Sequence, residues 1–219
     1  MMFIPFSGFN NTVRRHTRYY YESGNLIIRV TDTLFRVLDE PFRSDSSVFG
    51  KRYGLPHSPP GFGECTGTHD NPIVIDDVKP WEFDRFLGVI FPPFHFGSTS
   101  FFGDYGLNEW LSVLKLSTMW DFPSVRQLAL DHISSMELGN IELAVIGDKY
   151  PLPPYWWFSS LVHFVERDEP LSIDEAQQLG SALTVCIFTA REILEEEGRK
   201  REEDVGFVVR EVFDITLDD

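Results

Sequence analysis

The chain has 219 residues, of which 42% are hydrophobic and 24% charged, enough to bury roughly 70% of its unfolded surface without covalent staples. Its 34 acidic against 19 basic side chains give a formal net charge of −15, which opposes the phosphate neutralisation behind duplex affinity, so nucleic acid is not an expected partner of the whole chain. Two cysteines far apart, Cys65 and Cys186, no signal-peptide pattern at the start and no apolar run near the ~20 residues of a spanning helix imply an intracellular protein with no membrane partner.

Residues 1–23 sustain no period and read as a flexible N-terminal arm. Inside it, Arg14, Arg15, His16 and Arg18 lead into Tyr19, Tyr20 and Tyr21. Charge mixed with aromatics is how single-strand binders are built, and a short unstructured lead-in has the same composition. After a turn at Gly24-Asn25, residues 26–30 and 33–38 predict a β-hairpin through Thr31-Asp32, because Leu34, Arg36 and Leu38 alternate with Phe35 and Val37. Pro41 then admits a helix start, with Phe42, Val48, Phe49 and Tyr53 supplying its apolar side.

Residues 54–71 are dense in Pro and Gly and read as a surface excursion. A third strand is expected over 72–78. A helix follows over 80–92, where Phe83, Phe86, Leu87 and Ile90 fall at i, i+3, i+4 and i+7. The next loop, 93–106, carries Phe94, Phe96, Phe101, Phe102 and Tyr105 and leads into an αα-hairpin hinged at Asp121-Phe122-Pro123.

The first arm of that hairpin is apolar at Trp110, Leu111, Val113, Leu114, Leu116, Met119 and Trp120, too broad a coverage for a helix facing water on one side. The second sets Val125, Leu128, Ala129, Ile133 and Met136 against Ser124, Arg126, Gln127 and Asp131. Asp121 offers a capping oxygen, and Pro123 suits the first turn. Helices are expected over 138–150, from about Tyr155, and from a Ser172 cap with Glu175 three residues on. Residues 195–219 cluster like charges and read as an acidic, flexible tail, within which 205–213 fit a weak strand or a helical turn equally.

No constellation for chemistry emerges. His16, His57, His69, His95, His132 and His163 fall in no ligand spacing, and Cys65 with His69 lacks two further ligands. Gly61-Phe62-Gly63 follows Pro59-Pro60 rather than a strand, and Asp76-Asp77 closes a strand where turn residues are ordinary. His163 and Glu166, one helical turn apart, read as a surface polar contact. Tyr155, Trp156, Trp157 and Phe158 must divide between core and a partner-facing edge. No catalytic residue, cofactor or metal is therefore expected.

Strand, strand, helix, then strand, helix, then a helical hairpin closed by Trp-Asp-Phe, resembles the BTB/POZ domain over residues 24–136. Leu34-Phe35-Arg36-Val37 looks like the family's second strand, Phe42 with Ser46 to Phe49 its first helix pair, and Ile73 to Val78 its third strand. Val113 to Phe122 looks like its hairpin stretch. With residues 165–171 included, the chain resembles the fungal stand-alone BTB group to about Glu192. It departs from the family at Leu38, where a His is common, and at Asn25 and Asp39, where transcription-factor members carry a charged pocket.

The resemblance implies an α+β fold, with a small mixed sheet at one end of a helical cluster, a helical extension over 137–194 and the tail beyond. It implies a scaffold or adaptor that binds other proteins and self-associates, with Leu26, Ile28, Phe42 and Phe49 at the dimer interface. Some relatives recruit a cullin-type ubiquitin ligase through a hydrophobe-x-acid motif, which places partner binding here at Leu107 and Glu109, with Phe96 and Tyr105 beside them. An enzyme with unrecognised residues is the rival class.

Overall fold

In the computed structural model the described residues are 13–55, 67–92, 102, 105–150, 152–196 and 202–215. They divide into two units, Met1–Ile133 and Ser134–Asp219. The fold class is α+β, and among the described residues no helix is long and apolar enough to cross a membrane.

In the first unit β2 (Leu26–Val30) and β3 (Thr33–Val37) pair antiparallel, joined by Thr31, which accepts the left-handed turn conformation at φ 52°. β4 (Ile73–Ile75) runs parallel to β2 on one side, and β1 (Arg14–Tyr20) runs parallel to β3 on the other. The order β1-β3-β2-β4 makes a mixed sheet. β1 corrects the expectation of a flexible arm over 1–23 for Arg14–Tyr20. Its ladder is interrupted, and of its side chains only Tyr19 is fully buried. No period-2 signal survives in such a strand.

The helix expected after Pro41 is two short ones, α1 (Glu40–Ser44) and α2 (Phe49–Tyr53). Ser46 sits at the break, where its hydroxyl donates to the Trp120 carbonyl and accepts the Phe49 amide. α3 (Pro80–Ile90) buries Phe83, Phe86 and Leu87, the stripe its spacing gave. α4 (Leu107–Met119) is buried on most sides, and α5 (Pro123–Ser134) buries Ala129, Leu130 and Ile133. At the hinge Asp121 adopts φ 55°, and its carboxylate, expected as a cap, takes the Ser47 hydroxyl. Phe122 is fully buried and donates its amide to the Ser117 carbonyl at 2.8 Å.

In the second unit, α6 (Asn140–Lys149), α7 (Pro154–Glu166), α8 (Ile173–Glu196) and α9 (Glu202–Val212) enclose a core of Leu161, Phe164, Leu183, Ile187 and Val209. Gly180, at φ 82°, kinks α8. α9 corrects the expectation of a flexible tail over 195–219 for Glu202–Val212. Val205, Val208 and Val209 lie at i, i+3 and i+4, and all three are buried. The like charges that suggested a solvated tail end where this apolar spacing begins.

Candidate functional site

β1 meets β3 only near its ends. Arg14 lies opposite Thr33, Arg15 opposite Leu34, and Tyr20 opposite Arg36. More chain separates Arg15 from Tyr20 than separates their partners, so the stretch from His16 to Tyr19 bows out of the ladder as an enlarged β-bulge.

His16 fastens the bow. Its ring stacks on Phe35 with centroids 4.6 Å apart, and Nδ1 accepts the amides of Tyr19 at 3.1 Å and Arg18 at 3.3 Å. A nitrogen that accepts two N–H groups carries no proton, so the hydrogen sits on Nε2 and points at Asp84 Oδ1, 3.3 Å away. Both ring nitrogens are committed. A histidine beside a carboxylate has the look of a general base, but here no lone pair is left to take a substrate proton.

Burial lowers the pKa of His16 below its ordinary 6.5; Asp84 works against this, while Arg18 and Arg14 add to it. A base whose folded pKa is depressed is protonated first in the unfolded chain. Its contribution to stability is therefore complete above pH 6.5 and is lost as pH falls through 6.5 towards the lower folded value. Between about pH 7.5 and 5.5, hydrogen exchange at the Arg18 and Tyr19 amides is expected to lose protection relative to β3 amides. Equal behaviour of the two strands would contradict this assignment of the bow.

The bow leaves Arg14, Arg15, Thr17 and Arg18 exposed. With His16, Thr33, Pro80, Trp81 and Asp84 they line an open cleft of about 540 Å³. Trp81, at the start of α3, is 46% exposed. Arg14 lies 3.6 Å from Asp32 and donates to the Thr33 hydroxyl. Arg15 lies over the Tyr20 ring at 4.7 Å, and Arg18 over Tyr19 at 5.0 Å. Among the described residues no carboxylate pairs with either of these two.

The residues expected to bind partners lie elsewhere. Leu26, Ile28, Phe42 and Phe49, expected at a dimer interface, are at most 1% exposed and belong to the core of the first unit. Their side chains are occupied by packing within the chain and present no surface to a second copy, which corrects that expectation. The sequence shows that they are apolar, but strand alternation alone does not say which sheet face is covered.

Glu109 takes the amide of Gly106 at 3.1 Å, one of the orphan donors at the start of α4, and Leu107 is half-buried beside it. Tyr105 donates its hydroxyl to the Arg85 carbonyl at 2.9 Å, and burial pushes the pKa of that hydroxyl up. Phe96 lies outside the described residues, as do Cys65, His57, His95 and Gly61-Phe62-Gly63. His132 stacks on Trp110 at 4.0 Å, whereas His163 and Glu166 are both exposed on α7. Tyr155 is exposed, and Trp157 and Phe158 pack on the second core.

No family model, curated protein or solved structure matches the chain. Among the described residues no group of three or more His, Cys, Asp or Glu is placed to hold a metal ion.

In the second unit Arg167, Glu175 and Arg191 are engaged by the fold. Arg167 grips Glu175 through two bonds of 2.8 and 2.7 Å, and the same carboxylate takes the Ser172 amide at the start of α8. The Arg167 bonds and the Ser172 amide hold the pKa of Glu175 at about 2. Arg191 donates to the carbonyls of Phe164 and Glu169, satisfying the end of α7. These groups fasten α7 to α8. Among the described residues, the basic bow of β1 keeps Arg15 and Arg18 exposed and outside any ion pair, in an Arg-Tyr cluster whose composition alone suggests an unstructured lead-in.

Proposed function

We propose that this chain is an intracellular protein–protein interaction module, a scaffold built on a BTB/POZ-like first unit, which self-associates and binds other proteins rather than nucleic acid. The observation that supports the reading most is the path of the chain in that unit. Hairpin β2-β3, helix pair α1-α2, parallel strand β4, helix α3 and hairpin α4-α5 follow one another, with β2 between β3 and β4 in the sheet. That is the succession the resemblance implied.

The ligase-adaptor variant draws no support from Glu109. Its carboxylate holds the start of α4, so Glu109→Ala removes a helix cap before it removes any partner contact. Catalysis forms no part of the reading, because among the described residues the histidine–carboxylate pair that lines a cleft, His16 with Asp84, has both nitrogens committed.

Light scattering of the full chain tests self-association. A particle of twice the chain mass is expected, and a monomer at tens of micromolar would overturn that part. Affinity capture from the native cell tests the wider reading. Specific retention of other proteins is expected, and a bait that retains none would remove it.

A further inference from the structure

We propose that the bow of β1 is a docking surface for an acidic segment of a partner protein, which sets carboxylates on Arg15 and Arg18 and an apolar side chain against Trp81. The proposal rests on the interaction-module reading and gives it a site and a partner chemistry.

Charge comes first. In a chain of net charge −15, Arg14, Arg15 and Arg18 stand exposed on one short stretch. Two carboxylates beside this stretch already have cationic neighbours, Asp32 at 3.6 Å from Arg14 and Asp84 at 3.7 Å from Arg85. Among the described residues no ion pair takes up the charge of Arg15 or Arg18. A second copy offering the same face would meet like charge, so the complementary occupant is acidic.

The surface is also preorganised. The guanidinium groups of Arg15 and Arg18 lie against tyrosine rings, and Tyr19 is fully buried. The backbone between them is held by the His16 ring through Phe35, two amides and Asp84. Less freedom is lost when such a surface binds than when a loose arm must be ordered. A planar guanidinium accommodates a carboxylate through two parallel hydrogen bonds, and a half-exposed indole beside it is the kind of side chain that anchors interfaces.

The same composition could suggest a single-stranded nucleic acid, which needs open aromatic faces for its bases. On β1 those faces are spent, with Tyr19 buried and Tyr20 covered by Arg15, which leaves the Trp81 indole as a single open ring in the cleft where successive bases would need several. An acidic peptide needs only the guanidinium groups and the indole.

The test uses fluorescence anisotropy of the full chain with a dye-labelled peptide of glutamates around one leucine. Its glutamine counterpart and a labelled single-stranded oligonucleotide serve as competitors. Binding of the glutamate peptide is expected, weakening as salt rises. The double variant R15E/R18E is expected to lose at least about tenfold in affinity and W81A a few-fold. All of these side chains are exposed, so an unchanged circular-dichroism melt will show that the variants fold. Equal binding of the glutamine peptide, preference for the oligonucleotide, or indifference to R15E/R18E would overturn the proposal. A chain that retains cellular proteins but ignores the glutamate peptide rejects this surface and leaves the module reading standing. A chain that retains none rejects the module itself.

Discussion

Truncation of Trp120 to alanine is expected to destabilise the first unit by about 3–5 kcal/mol, the range for removing a fully buried aromatic side chain. Trp120 has no exposed surface, and its ring meets Phe49 at 5.3 Å, Phe83 at 5.8 Å and Phe86 at 5.3 Å, edge to face in each case. Each such contact adds about 0.5–1.5 kcal/mol beyond the area it buries. Phe49 comes from α2, Phe83 and Phe86 from α3, and Trp120 itself closes α4, so one side chain ties three helices. Its carbonyl also receives the Ser46 hydroxyl that marks the break between α1 and α2.

Alanine leaves a void between aromatic rings that cannot collapse without moving helix axes, and both the lost transfer energy and the cavity count against it. Trp81→Ala is the control, because that indole is 46% exposed, and truncation at the surface ordinarily stays within about 0.5 kcal/mol. Urea unfolding followed by circular dichroism reads both variants. A midpoint for Trp120→Ala equal to that of Trp81→Ala would show that the hairpin does not organise the unit.

The centre of this unit was legible because its signals are local and periodic. The stripe Phe83, Phe86, Leu87 and the broad apolar coverage of α4 depend on a 3.6-residue repeat that tertiary structure did not disturb. The β2-β3 hairpin was legible for a similar reason, alternation across a two-residue turn. β1 was not. Its bow is set by a side chain, His16, accepting amides two and three residues ahead, and neither propensity nor period encodes that interaction.

The tail was misread for the opposite reason. A strong local signal, the charges from Glu195 to Asp204, masked a short apolar pattern whose meaning depends on α7 and α8 having already made a surface to cover. The four residues expected at a dimer interface show a further limit. Apolarity says that Leu26, Ile28, Phe42 and Phe49 are covered, and only the fold says that this chain covers them.

In the second unit Gly147→Ala is expected to lose about 1–3 kcal/mol, the usual penalty of overpacking, although helix propensity argues the other way. Glycine inside a helix is worse than alanine by roughly 1 kcal/mol, so on an open face of α6 the change would stabilise. Gly147 is not on an open face. A Cβ there would stand 2.2 Å from Cγ, 2.4 Å from Cδ2 and 2.7 Å from Cδ1 of Trp157. Carbon atoms attract at about 3.5–4 Å and repel steeply below that. The atoms in the way are the root of the indole rather than its far edge, so a small rotation does not clear them.

Relief requires α6 and α7 to separate or Trp157 to leave its rotamer, and Trp157 packs against the second core. Hydrogen exchange along α7 is expected to speed up in Gly147→Ala. The cause can be isolated by adding Trp157→Leu, which trims the obstructing ring. If the clash carries the effect, the double variant will be more stable than the sum of the two single changes allows, a coupling that neighbours in contact show and distant residues do not. A Gly147→Ala chain that gains stability would mean that the indole swings aside freely and that propensity outweighs packing at this helix crossing.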